Sequence, residues 1–183
     1  IGCLRMMYFT SDLHFDLLRK HHYNTPFETY QQKNNYIIKE WNKIVNDNDT
    51  VIIAGDLGNP EYLKQLKGNI ILILGNHDRY ETLPKFKSID AFKIYLHKIN
   101  PKVKLAKNIN SMTITVPYKD KKIDMLIVHE PRLRNKMLLD LLNYKYNIKA
   151  KEKYFEDNGN LKIVLFGHIH DLCKIKRYGL NVA

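Results

Sequence analysis

Cysteine is nearly absent from this chain. Only Cys3 and Cys173 occur, far apart and outside any CxxC spacing. That excludes a disulfide scaffold and a thiolate-bound structural zinc, and it suits free thiols in a reducing, intracellular, cytoplasmic setting. Long apolar runs are missing too. None approaches the roughly 18–20 residues of a membrane span, so no membrane partner is expected. The start does not read as a secretory signal, because charged Arg5 leads straight into a strand-like segment. Eight glycines and six prolines in 183 residues are too few for a collagen-like or low-complexity chain. Acidic residues fall short of basic ones, 19 against 30, which leaves a net charge of +11.

What is present has the composition of a folded domain. Hydrophobic residues make up 44% of the chain, and its length suffices for one compact core. No internal repeat, linker or biased block divides it, so a single domain over residues 1–183 is expected. Ile1 precedes Met6 and Met7, either of which is a natural start, and residues 1–6 read as a remnant or an upstream extension. The other end falls in strand-like Leu180-Asn181-Val182-Ala183, which suggests that the chain continues. The basic excess has two readings. One is an anionic partner such as a nucleotide or nucleic acid. The other is the Lys, Asn, Ile and Tyr richness that AT-rich codons produce.

Apolar runs at Met7–Thr10, Thr50–Ala54, Ile70–Leu74 and Ile163–Phe166 predict buried strands. Between them, Glu28–Asn46 carries Ile37, Ile38, Trp41, Ile44 and Val45 at helical spacing. A short helix is expected over Glu61–Lys67. A further one follows the cap Ser88, with Ile89, Phe92, Leu96 and Ile99 on one face and Asn100-Pro101 as its stop. Strand, helix, strand, helix, strand argues a parallel βαβ arrangement. Met112–Val116 and Ile123–Val128, joined by the polar turn Pro117–Lys122, read instead as an antiparallel hairpin. An amphipathic helix is expected around Leu133–Leu142, and a last hairpin turns at Arg177-Tyr178-Gly179.

The strands end in an unusual way. Asp12 and His14 follow the first, Asp56 the second, Asn76 and His77 the third, His129 the hairpin, and His168 and His170 the last long strand. In extended backbone the alternating pairs Asp12/His14 and His168/His170 would each point to one side, while neighbours Asn76 and His77 would diverge. Packing gives a domain no reason to end nearly every buried strand in a metal-binding side chain. The mix of imidazole, carboxylate and amide oxygen suits Mn, Fe, Zn, Ni or Co. These eight residues exceed the four ligands of a structural site. They fit two divalent ions roughly 3.5–4 Å apart, bridged by a carboxylate and a hydroxide.

Asp12-Leu13-His14, Gly55-Asp56, Gly75-Asn76-His77-Asp78, His129 and Gly167-His168-Ile169-His170 together resemble the calcineurin-like metallophosphoesterases. The run Phe9–Phe15 and Trp41-Asn42-Lys43 is similar to small bacterial and phage-type members. The resemblance implies a four-layer α/β/β/α sandwich of mixed sheets with its site at the strand ends. It implies one ion held by Asp12, His14, Asp56 and His170, and a second by Asp56, Asn76, His129 and His168, with Mn the favoured metal. His77 would contact the phosphate and protonate or stabilise the leaving oxygen, with Asp78 nearby to orient it. The chain departs from the pattern where small members commonly carry Gly-His after Asp-x-His-Phe: Asp16-Leu17 stands there, and His21 and His22 further on are candidate displaced substrate contacts. The expected activity is hydrolysis of phosphodiesters, nucleotide or nucleic acid in kind. The alternatives are a phosphomonoesterase acting on small molecules or phosphoprotein, and a nucleic-acid-binding protein that keeps the fold.

Overall fold

Alternation along the central strands decides the architecture. In β2 (Thr50–Ala54), Val51 and Ile53 join one apolar cluster while Ile52 and Ala54 join another. In β3 (Asn69–Ile73), Ile70 and Leu72 side with the first cluster and Ile71 and Ile73 with the second. A strand that is apolar on both faces must be covered on both. The computed structural model describes residues 5–18, 26–118, 121–130, 161–168, 175–176 and 179–181.

The first sheet runs in the order β1-β2-β3-β4, all parallel, with β1 at Met7–Thr10 and β4 at Val103–Leu105. Each strand lies beside its sequence neighbour, so right-handed crossovers put every connecting helix on the same face. These connections are α1 (Tyr30–Ile44), a 3₁₀ helix (Pro60–Gln65) and α2 (Ile89–Ile99). They contribute Trp41, Leu63, Phe92 and Leu96 to the first cluster, joined by Val45 and Leu66 at the two C-caps. The opposite face remains open for a second sheet, ordered β5-β6-β7-β9-β8. It contains β5 (Ser111–Tyr118), β6 (Lys121–Val128), β7 (Leu161–Phe166), β8 (Ile175–Lys176) and β9 (Gly179–Asn181). Its β5–β6 and β8–β9 pairs are antiparallel, and β6–β7 and β7–β9 are parallel. Met112, Ile114, Met125, Ile127 and Leu165 meet the inner face of the first sheet. Helices on sheet on sheet are therefore three layers of the expected sandwich. The helix expected over Leu133–Leu142 lies outside the described residues.

Several local expectations shift. Helix α1 starts at a capping box formed by Thr29 and Gln32 and stops at Ile44. Val45 leaves the helix in extended conformation and takes the buried place, while Ile44 is 55% exposed. The segment after Asn59-Pro60 is 3₁₀ rather than α, and the hairpin strands extend to Tyr118 and from Lys121. Strand β4 was not expected, being three residues long with a lysine at its centre. Among the described residues no helix is long and apolar enough to cross a membrane.

The first sheet is tied at its amino edge by Asp49. Its Oδ1 accepts from the Met6 N–H (2.9 Å) and its Oδ2 from the Asn46 N–H (2.8 Å). These two donors hold the Asp49 carboxyl below the usual carboxylate range. A depressed folded pKa contributes stability above the unfolded value, 3.8, that is lost as pH falls through the folded value. The stability gap between wild type and Asp49→Asn is therefore expected to be widest near neutral pH and to close below about pH 4, as read by thermal melts. A gap that stays constant down to strong acid would contradict this.

Candidate metal centre

The carboxyl ends of β1, β2, β3, β6 and β7 converge, because β2 is central to one sheet and the parallel β6–β7 pair delivers His129 and His168 from the other. The chain beyond β1 does not stay extended as the alternation argument assumed. Asp12 (φ 59°) and His14 (φ 44°) are left-handed, with Leu13 between them. The Asp12, His14 and Phe15 N–H groups donate to the carbonyls of Gly55, Asp56 and Leu57, each at 2.9 Å. This lays the 12–15 segment along the 55–57 segment and brings both side chains to Asp56. His14 Nε2 lies 3.7 Å from Asp12 Oδ1 and 3.7 Å from Asp56 Oδ2. Asp56 (φ 54°) and His168 (φ 67°) are left-handed as well. For residues other than glycine this conformation is sparsely populated and gathers at functional sites.

Glycines make room for this approach. A Cβ on Gly75 would stand 2.1 Å from Asp56 Oδ1, and one on Gly167 would stand 1.8 Å from Ser11 Oγ and 2.4 Å from Asp12 Oδ2. The Gly-Asn and Gly-His steps of the motifs are thus needed for the close passage of a neighbouring strand end.

Asp56 is the centre of the cluster. It is 1% exposed; its Oδ1 accepts from the His77 N–H (2.9 Å), and its Oδ2 faces His129 Nε2 at 3.2 Å. Burial works to raise its carboxyl, but His129 and His14 with the His77 N–H outweigh this and hold it below the usual range. His129 Nδ1 donates to the Ala54 carbonyl (2.9 Å). That fixes Nε2 as the ring atom presented to Asp56 and to Asn76 Oδ1, 3.0 Å away. In the neutral ring a nitrogen lone pair would then face two oxygen acceptors, so a positive charge belongs among them, either a proton or a metal ion. Burial opposes a proton on His129, but the hydrogen bond and charge of Asp56 prevail and raise its pKa. His168 Nδ1 lies 3.1 Å from the same Asn76 oxygen, and the His168 backbone N–H donates to Asp12 Oδ2 (2.9 Å). Burial, then the neighbouring His129 charge, lower the His168 pKa. A neutral imidazole is the form that ligates a metal.

Two donor groups result, Asp12/His14/Asp56 and Asp56/His129/His168, the candidate ligand atoms of each lying within 4.8 Å of one another. Asp56 belongs to both. The donor chemistry fits divalent ions with mixed nitrogen and oxygen ligands. Of the residues expected from the sequence, Asp12, His14, Asp56, Asn76, His129 and His168 are brought together. His170, His21 and His22 lie outside the described residues.

Residues 76–82 are helical rather than extended, a helical turn running into the wide turn Asp78–Thr82. This corrects the role expected for Asp78. Successive helical residues point about 100° apart, while i and i+4 share a face. Glu81, not Asp78, pairs with His77 Nδ1. The buried Asp78 carboxylate instead accepts from the Leu57 and Gly75 N–H groups, each at 3.0 Å, and burial raises its pKa. The His77/Glu81 spacing was visible in the sequence, but only a helix starting at Asn76 gives it meaning. Sequence reasoning also missed Arg79, which joins the Leu74 carbonyl (3.1 Å) and Asn110 (3.2 Å) to Glu130 (2.6 Å). It missed Lys33 too, whose ammonium donates to the loop after Leu13, and which burial draws down to about 8 despite nearby Asp16. Asp16, where the family pattern differs, accepts from Asn34 (2.9 Å), Asn59 (2.6 Å) and the Tyr62 hydroxyl (2.7 Å), and so braces the loop.

Gly75→Ala is expected to cost about 1–3 kcal/mol through overpacking and to weaken divalent-ion uptake, because relief comes only from moving Asp56. Thermal melts of metal-free protein and calorimetric metal titration check both effects. An unchanged melting temperature with unchanged uptake would show that the close approach is not required.

The model of the calcineurin-like phosphoesterase superfamily domain matches residues 6–182. An uncharacterized protein of Methanocaldococcus jannaschii, MJ1445, is 28% identical over 152 residues, covering 78% of this chain and 86% of its own. A crystal structure of a protein of unknown function from Aquifex aeolicus, AQ665, aligns with 97% of this chain and 83% of its own at 21% identity, with a TM-score of 0.49. The family implies divalent-metal use and a phosphate-ester substrate. With the family model spanning both sheets and every motif at the strand ends, this chain belongs to the calcineurin-like phosphoesterase superfamily.

Proposed function

We propose that this protein is an intracellular phosphodiesterase that holds two divalent ions, manganese foremost, and acts on a nucleotide or nucleic-acid-like ester. The observation that carries the reading is the sharing of Asp56 by two donor groups. In this reading Asp12, His14 and Asp56 hold one ion, with His170 completing the set. Asp56, Asn76, His129 and His168 hold the other. Divalent ions so held supply Lewis acidity toward a phosphoryl group and lower the pKa of a water molecule.

The remaining work falls to the chain itself. His77 lies beside the cluster, its ring 5.4 Å from that of His14 and edge-on to it. Its backbone N–H braces Asp56, while its ring diverges from Asn76 along the helical turn. Glu81 accepts from Nδ1–H and so selects the tautomer and orientation of the ring. His77 then acts as general acid, giving the proton on Nε2 to the leaving oxygen. Asp78 acts at a distance by fixing the 57 and 75 backbones that frame Asp56. His21 and His22 are assigned to substrate contact. The net charge of +11 supports an anionic substrate larger than a single phosphate.

With manganese added, bis-p-nitrophenyl phosphate is expected to turn over faster than p-nitrophenyl phosphate, and the opposite order would favour a monoesterase. His77→Ala should leave metal content and folding near wild type. Its turnover should fall about 10²–10⁴-fold for esters of poor alkoxide leaving groups, as loss of a general acid does, and less for p-nitrophenyl esters. Loss of metal, or equal slowing of both ester classes, would remove His77 from this role.

A further inference from the structure

We propose that Lys33 is a positioning residue of the metal centre: its ammonium grips the backbone of the His14 loop and thereby fixes the His14 imidazole for a divalent ion. The inference rests on reading Asp12, His14 and Asp56 as a cation-holding group.

Lys33 Nζ donates to the carbonyls of Leu13 (3.0 Å), His14 (2.6 Å) and Leu17 (2.8 Å). An ammonium has three donors and no acceptor, so each proton has one carbonyl. The loop needs such a partner because His14 (φ 44°) and Asp16 (φ 65°) are both left-handed, and carbonyls from both sides of these residues converge on one point. Without a donor there, partly buried acceptors would draw the loop toward water. The shortest of the three bonds is to the carbonyl of His14 itself, so whatever displaces the ammonium displaces the backbone that carries the imidazole.

The grip comes from a rigid element. Lys33 sits in the first turns of α1, directly after the capping box of Thr29 and Gln32. The adjacent residue, fully buried Asn34, donates to Asp16, the next left-handed residue of the same loop. Two successive residues of one capped helix thus hold the loop at two places. A side chain supported in this way keeps its geometry more closely than one on a free loop. Arginine would not substitute, since its donors lie in a planar fork rather than diverging from one nitrogen.

The test titrates cobalt(II) into the purified full chain, read by its absorption and by calorimetry, in two backgrounds. His168→Ala leaves the Asp12/His14/Asp56 group intact, and His14→Ala leaves the Asp56/His129/His168 group. Adding Lys33→Met should weaken cobalt binding about 10–100-fold in the first background and by less than about twofold in the second, the scale of losing a ligand's supporting partner. Equal weakening in both would make Lys33 a general stability residue, and no weakening in the first would remove its role; either overturns the proposal. A folded His168→Ala protein that binds no cobalt would overturn the reading of that group, and the proposal with it. If Lys33→Met does not fold, Lys33→Arg takes its place with the same split expected. In the metal-free wild type, NMR couplings across hydrogen bonds from Lys33 Nζ to the carbonyl carbons of Leu13, His14 and Leu17 then support the grip, and their absence overturns it.

Discussion

A buried carboxylate shared by two donor groups governs this structure. Burial alone would drive Asp56 toward its neutral form. It stays ionised because His129 and His14 face one oxygen and the His77 N–H donates to the other. The partners come from different elements: His14 follows β1, His77 follows β3, and His129 follows β6 of the second sheet. Asp56 itself follows β2, which like β3 is apolar on both faces. The packing of one sheet on the other is therefore what brings the donors together, and Gly75 is the concession that lets the β3 end pass close to the carboxylate.

Holding the donors in place requires unfavourable backbone. Among the described residues, five residues other than glycine are left-handed, and four of them, Asp12, His14, Asp56 and His168, are candidate ligands. Each such residue costs on the order of 1–3 kcal/mol. The cost is met by hydrogen bonds from several directions. The Asp12, His14 and Phe15 N–H groups bond to the β2 loop, the His168 N–H bonds to Asp12, and the 57 and 75 N–H groups bond to Asp78. The fifth left-handed residue, Asp16, is held by Asn34, Asn59 and Tyr62. The centre is thus organised by the folded chain before any ion arrives. That is what electrostatic catalysis on a phosphoryl group needs, since charges fixed in advance need no reorganisation during reaction.

Much of this was legible in the sequence, for a physical reason. Two-sided burial forces nearly unbroken apolar runs, so Thr50–Ala54 was bounded correctly by inspection; half-buried Met7–Thr10 was bounded correctly by its β-prone residues alone. Carboxylate, amide and imidazole side chains have few structural uses directly after such runs, so Asp12, Asp56, Asn76, His129 and His168 stood out as candidate ligands. Backbone conformation past the strand ends was not legible. Nothing in Asp12-Leu13-His14 announces left-handed dihedrals, and the helical start at Asn76, which replaces Asp78 by Glu81 beside His77, depends on the fit of that turn between Leu57 and Gly75. Lys33 lay hidden because its partners are backbone carbonyls 16 to 20 residues away, which carry no residue-type signal. Strand β4 is too short and too lysine-rich for alternation to reveal it, and it is formed by pairing with β3.

The central claim is that Asp56 serves two ions at once, and electron paramagnetic resonance of the manganese-loaded protein tests it most directly. Two ions joined by a shared carboxylate are magnetically coupled, so the account predicts the multiline spectrum of a coupled pair, replaced in Asp56→Asn by the spectrum of isolated ions or by none. A fully loaded wild-type protein that shows only isolated manganese, or a coupled spectrum that survives in Asp56→Asn, would contradict the account.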